Sequence, residues 1–270
     1  MRMSKYESNA RRMRFGVASV AAVGLLVAIP ACGQAATAPV PLGTASSFVV
    51  LAGAGIATQF STLTGNIGTF PTPSITGLST SFFHGINHGA DEETQRAKKD
   101  LATAYTTAAG AGPTTTIPAE LGGKTLKPGV FSASALILGQ FDHPGSVETG
   151  EKKILTLDGG GNPNAVFIFK SASTLDAVKG VVMLTNGASP CNVFWQVSGS
   201  ATLLGSRFVG TIMSLKDIHL KSDTGHGMPA DDSFTVVDGR ALAINGAVTL
   251  DASTVTRPSC AAGNQVSQVP

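Results

Sequence analysis

Three groups of side chains in the 270-residue sequence could do chemistry, and each has a plainer reading beside it. His84 and His88 stand four apart, with Asp91 and Glu92 close behind. Imidazoles and carboxylates at that spacing could hold a metal. Gly85 and Gly89 speak against a helical histidine pair, and a polar loop capping a following helix accounts for the same residues. Asp158-Gly-Gly-Gly-Asn-Pro-Asn suggests a calcium turn, yet it brings one carboxylate where hard cations take several, so a corner between strands fits better. Asp231-Asp232 is a tight carboxylate pair and reads as a solvated turn. The chain has no Gly-x-Ser-x-Gly elbow, no Walker loop and no Cys-x-x-Cys. These residues argue against an enzyme and assign no cofactor and no metal.

The segments around these groups set the compartment. Arg2, Lys5, Arg11, Arg12 and Arg14 precede an apolar run from Phe15 to Ile29. The run is short for a membrane span and ends in small residues, the pattern of a secretory signal over residues 1–31. Two cleavage readings stay open. Ile29-Pro30-Ala31-Cys32 resembles a lipobox, with Cys32 as the lipidated residue and the only route to a membrane; Gly33-Gln34-Ala35 suits an ordinary signal peptidase. The expected product is exported: secreted, periplasmic or lipid-anchored at the cell envelope.

Residues 1–31 hold five of the 19 basic residues and one of the 17 acids, so the remainder carries 14 basic against 16 acidic residues, a balance of −2. No basic patch is left to attract nucleic acid. Cys191 and Cys260 lie beyond the signal, where export permits a disulfide; the sequence leaves open whether they pair.

Residues 32–44 read as an Ala/Pro/Thr linker, 45–256 as the folded domain and 257–270 as a polar tail. The domain is mainly β, with one interruption. Asp91 is a good N-cap, Glu92 and Glu93 suit a first helical turn, and Gly110 ends the segment. Ala97, Leu101, Tyr105 and Ala108 form one apolar stripe with Lys98, Lys99 and Asp100 off it, so residues 91–109 are predicted to form one amphipathic helix. After residue 120 a unit recurs: an apolar strand, a corner of small residues, then a strand carrying leucine at 175, 203, 220 or 250. Such pairs bury their inner face by stacking. A parallel β-helix with Leu175, Leu203, Leu220 and Leu250 in one interior rank satisfies the pattern. An antiparallel sandwich is the rival, supported by the hairpin-like Asn186-Gly187 and Asn245-Gly246.

Several separated blocks resemble the bacterial and fungal ice-binding family. They are the run from Leu42 to Gly53, Ile67-Gly-Thr-Phe-Pro, Leu126-Lys-Pro-Gly-Val-Phe, Asn162-Pro-Asn-Ala-Val-Phe-Ile-Phe, Cys191-Asn-Val-Phe-Trp-Gln-Val, Gly239-Arg-Ala-Leu-Ala and Asn245-Gly-Ala-Val-Thr-Leu-Asp. The resemblance covers about residues 42–256 and implies a right-handed, three-faced β-helix with the long helix packed along one face. It also implies that a flat face away from the helix adsorbs to ice or its ordered water.

If the leucines point inward, their neighbours point outward. The candidate ice-binding residues are then Ala57, Thr174, Asp176, Thr202, Leu204, His219, Lys221, Thr249 and Asp251. The threonines suit the role, since each sets a methyl beside a hydroxyl. Asp176, Lys221 and Asp251 suit it less, because charges hold water tightly. Gln140–Lys153 is longer and more charged than the resemblance leads one to expect and reads as a surface excursion. The expected activity is ice adsorption by a monomer; the alternative is a surface structural or adhesive module on the same scaffold without ice affinity.

Overall fold

The structure is a computed structural model describing residues 37–139, 153–223 and 234–260. The signal, Cys32, Asp231-Asp232, most of the expected excursion and the end of the tail lie outside the described residues.

Every strand pairing among the described residues is parallel, which removes the antiparallel rival. The strands stack into three ladders and the chain visits them in turn, making a β-helix. The first face runs Thr114–Thr116, Gly129–Ala133, Phe167–Ser171, Val193–Val197, then the ends of Arg207–Ser214 and Thr235–Ala243, then Phe48–Ala52 and Asn66–Thr69. The second is a seven-stranded sheet: Leu136–Leu138, Leu175–Val178, Ala201–Leu204, Ile218–Lys221, Ala247–Asp251, Gly55–Gln59 and Ile75–Thr76. The third runs from Thr125–Leu126 through Lys153–Asp158 and Gly180–Thr185 to Ser253–Thr256, Thr62–Thr64 and Phe82–His84.

Stacking order is not chain order. The first coil lies on the last, with Val50 level with Ala241 and Ala57 level with Thr249. Asn186-Gly187 and Asn245-Gly246 are corners between faces, not hairpin turns. Two strands bend from the third face into the first without a break, at Gly210 and Gly239, which pair with one another. Gly210 has φ 104°, and a Cβ there would lie 2.5 Å from the Val193 carbonyl oxygen, so only glycine serves.

The difference between the faces is written in the strand sequences. Phe48-Val-Val-Leu-Ala, Phe167-Ile-Phe and Val193-Phe-Trp are continuous apolar runs because both sides of the first face are covered. Its inner side carries a stack of Phe131, Phe169 and Trp195, with successive centroids 5.2 and 4.1 Å apart, and Phe208, pointing inward from the third face, tilts against Trp195 at 4.7 Å. The Trp195 indole N–H donates to the Val209 carbonyl at 2.9 Å, so the buried ring leaves no orphan donor. Its outer side (Phe48, Leu51, Ile168, Phe194, Met213 and Leu242) packs on the helix, α1, Glu92–Gly110.

The helix falls where the sequence places it. Asp91 caps it, accepting from Thr94 N–H at 2.9 Å. Ala97, Leu101, Ala104 and Ala108 are buried against the sheet, small enough for a close approach. The off-stripe residues do more than face water. Lys98 donates to the carbonyls of Ala243 and Ile244 at 2.7 and 2.6 Å, and Asp100 accepts from Thr44 N–H at 2.7 Å. Lys170 closes the other end, donating to the carbonyls of Ala109 and Ala111 at 3.2 and 2.8 Å.

The interior of the second face corrects the predicted register. Leu203, Leu220 and Leu250 form one rank, with Ala177 level with Leu203. Leu175 sits in the neighbouring rank, level with Ala201, Ile218, Val248 and Ile56. All four leucines point inward and are buried, so the face is right and the frame of one strand is two residues out.

Candidate functional site

Strands of the second face alternate, as in Ala201-Thr202-Leu203, Ile218-His219-Leu220 and Val248-Thr249-Leu250, because only their inner side is covered. The outward residues fall in columns. The central column runs Ile137, Asp176, Thr202, His219, Thr249, Ala57 and Thr76. Ala57 and Thr76 are exposed, and Thr202, His219 and Thr249 are half-buried between their neighbours. Successive rungs stand about 4.8 Å apart.

Beside it runs a column of Val178, Leu204, Lys221, Asp251 and Gln59. Lys221 and Asp251 are adjacent there, so opposite charges neighbour one another off the central line. On the other side stands Asp217, whose Oδ1 accepts from Ala247 N–H at 2.8 Å and fastens the corner of the next strand.

The sequence-derived set is thus brought together on one face, with one displacement. Thr174 precedes the strand Leu175–Val178, and Asp176 is the residue level with Thr202. Thr174 therefore stands outside the Thr202–Thr249 column and accompanies the face as a support: its Oγ1 donates to Asp176 Oδ2 at 2.6 Å. Sequence reasoning did not name Thr76 or Ile137 as members of the column. The signal was available in the partner registers of short strands, which a single sequence does not display.

The other candidates are absorbed by structure. His88 bridges Asp91 Oδ2 at 2.8 Å and the Asn66 amide at 3.2 Å, so both ring nitrogens serve the entry to α1; Asp91 is held below its usual range, first by the Thr94 N–H. His84 lies on the third face, level with Thr64. Asp158 accepts from Lys127 at 2.7 Å, Asn186 at 3.0 Å and Gly160 N–H at 2.8 Å, which pull its carboxyl down to about 2 and make it a corner clasp. Among the described residues no three His, Cys, Asp or Glu side chains are gathered as a metal would need, and no helix is long and apolar enough to cross a membrane. Cys191 and Cys260 are joined in a disulfide, with their Cα atoms 5.7 Å apart.

Residues 50–256 match the model of the family described as ice-binding-like. Over 221 residues the chain is 38% identical to an ice-binding protein of Nostoc sp. strain HG1, covering 80% of this chain and 73% of that one. Among solved structures it resembles an ice-binding protein from an Antarctic biological consortium, with TM-score 0.69 and 33% identity over 83% of this chain and 93% of that one. It also resembles the ice-binding protein of the Antarctic ascomycete Antarctomyces psychrotrophicus, with TM-score 0.66 and 31% identity over 82% of this chain and all of that one.

Proposed function

The chain belongs to the ice-binding-like family, and from that premise we propose that it adsorbs to ice through the second face of its β-helix and so restrains ice growth or recrystallisation. The observation that carries this reading is the uncharged run Thr202, His219, Thr249, Ala57 and Thr76, held in register by four consecutive parallel pairings. A rigid sheet has little entropy to lose on adsorption. Methyl and hydroxyl groups at fixed spacing arrange water without gripping it, and many weak contacts made together give a long residence time. Ice carries no charge to compensate a stripped ion, so ionic side chains oppose adsorption wherever they meet it. The protein acts as a monomer and catalyses nothing.

The disulfide fits an oxidising compartment, which supports export as a secreted, periplasmic or envelope-anchored protein. One observation favours the second reading, a surface structural or adhesive module: Asp176 stands in the central column itself.

Recrystallisation inhibition by the wild type, Thr202→Tyr and Thr254→Tyr separates these. Thr202 is on the second face, and Thr254 points outward on the third. The expected result is an active wild type, an inactive Thr202→Tyr and an active Thr254→Tyr. Activity lost only in Thr254→Tyr moves adsorption to the third face. An inactive, folded wild type favours the structural module.

A further inference from the structure

Resting on that reading, we propose that His219 is a proton-operated switch in the ice-facing column: the neutral ring belongs to the uncharged run, and the protonated ring divides it. Histidine is the side chain that ordinarily changes charge between about pH 5 and 8. Its place here gives that change a consequence. Asp176 already ends the uncharged run beyond Thr202, whereas His219 stands inside it, between Thr202 and Thr249. A charge at His219 leaves three uncharged rungs in sequence, Thr249, Ala57 and Thr76, where the neutral ring gives five.

A second feature makes the ring responsive in shape as well as in charge. Its Nδ1 is sealed from solvent and has no hydrogen-bond partner. In the neutral ring Nδ1 can be the bare nitrogen, and the omission is one unfilled acceptor. Protonation puts an N–H there with nothing to receive it, a buried donor left unsatisfied. The charged ring meets that demand by swinging toward water, which lifts it out of line with Thr202 and Thr249.

The charged groups that face it are few. Lys221 lies two residues away on its own strand, Asp217 two residues away just before that strand, and Asp251 diagonally on the strand Ala247–Asp251. The strand Ala201–Leu204 contributes Thr202 and Leu204, which do not titrate, and Asp176 is two strands away. Asp217 is engaged with Ala247 N–H, and Lys221 stands level with Asp251, so the charges beside the column have neighbours of their own.

The test uses the full chain, with recrystallisation inhibition measured near pH 8 and near pH 5. Wild type, His219→Gln and His219→Lys are compared, and circular dichroism melts confirm that each is folded. For the wild type the inhibiting concentration is expected to rise by about tenfold at the lower pH, while His219→Gln changes by less than about twofold. His219→Lys carries a fixed charge and should behave at pH 8 as the wild type does at pH 5. Nuclear magnetic resonance gives a readout independent of ice: the His219 ring titration should move the amide signals of Thr202 and Thr249 with the same midpoint. A wild type equally potent at both pH values, or a fully active His219→Lys, overturns the switch alone. An equal loss in wild type and His219→Gln assigns the pH effect to another group and overturns it too. No inhibition by the folded wild type at pH 8 overturns the switch together with the adsorption reading on which it rests.

Discussion

Ser61 and Ser253 stand 192 residues apart in the chain and one above the other in the stack, with the Ser253 N–H donating to Ser61 Oγ at 3.1 Å. The pair belongs to a buried file of hydroxyls running under the corner between the second and third faces. Gly180 N–H donates to Ser206 Oγ at 3.1 Å, Ser206 N–H to Thr235 Oγ1 at 3.3 Å, and Ser61 N–H to Ser81 Oγ at 3.3 Å. Corners leave backbone donors without a ladder partner, and these hydroxyls receive them. The Ser61–Ser253 step is the one that joins the first coil to the last. Ser61→Ala should cost about 1–3 kcal/mol, because it strands the buried Ser253 N–H. Urea melts measure it; a cost near zero would mean that the amide finds another acceptor.

Lys98 supplies a pH signature. Burial pulls its ammonium down to about 8, against the ordinary lysine value near 10.4. The neutral amine retains two N–H groups, enough for the carbonyls of Ala243 and Ile244. Between about pH 8 and 10.4 the folded chain sheds a proton that the unfolded chain keeps, so stability rises with pH across that window and the gain is lost as pH falls through 8. The rise should be about 1–3 kcal/mol. Melts of wild type and Lys98→Met should diverge over this range; parallel curves would show that the ammonium stays protonated in the fold.

The same corner that carries the hydroxyl file is turned by left-handed residues, and several are not glycine. Gly205 has φ 55°, while Lys179, Ala252 and Phe60 have 52°, 46° and 50°. An L-residue there is strained. Ala252→Gly should relieve more than the added freedom of the unfolded chain costs, a net gain of about 0.5–1 kcal/mol. A lower melting temperature would show that the Ala252 methyl packs well enough to outweigh the strain.

The disulfide ties residue 260 to the short 3-10 turn Pro190–Asn192, closing a separation of 69 residues. In the loop-entropy account such a link contributes about 4 kcal/mol. Cys260→Ser, or reduction of the wild type, should lower the melting temperature to the same degree. A mass measurement finding both thiols free in exported material would remove the basis for the comparison and for the compartment argument.

How much of this was legible depends on whether the signal was local. The recurring unit of an apolar strand, a small-residue corner and a leucine-bearing strand announced the stacked coils, and the contrast between Phe167-Ile-Phe and Ala201-Thr202-Leu203 took its meaning only once the helix was seen to cover one face. The cap at Asp91 and the alanine stripe announced the helix. The frame of the strand Leu175–Val178 was not legible, since alternation tells which residues point inward but not which inward position a leucine fills. In that strand leucine takes the first inward place and Ala177 the second, the reverse of Ala201 and Leu203. Lys98 looked like a solvated residue because its acceptors come from a strand about 145 positions later. The hydroxyl file left a fainter trace: a left-handed residue followed by serine, as in Phe60-Ser61, Gly205-Ser206 and Ala252-Ser253.

The frame shift changes what substitutions on the face should do. Thr174 and Thr249 looked equivalent from sequence, each beside an inward leucine. In the stack Thr249 lies in the central column between His219 and Ala57, whereas Thr174 lies off it and braces Asp176. Thr249→Tyr should therefore abolish recrystallisation inhibition, since one ring raised in mid-column holds the neighbouring rungs off the lattice and breaks many weak contacts at once. Thr174→Tyr should reduce it by no more than about threefold, since the run Thr202 to Thr76 stays level. Asp176→Thr should do the opposite of both. It extends the uncharged run by one rung toward Ile137 and removes a carboxylate whose hydration competes with ordered water, so potency should rise. All three side chains point outward, so melting temperatures should change little and the inhibition series reads the surface alone. Equal damage from Thr249→Tyr and Thr174→Tyr would place the contact at the corner of the face, and an unchanged Asp176→Thr would mean that ice never reaches that end of the column.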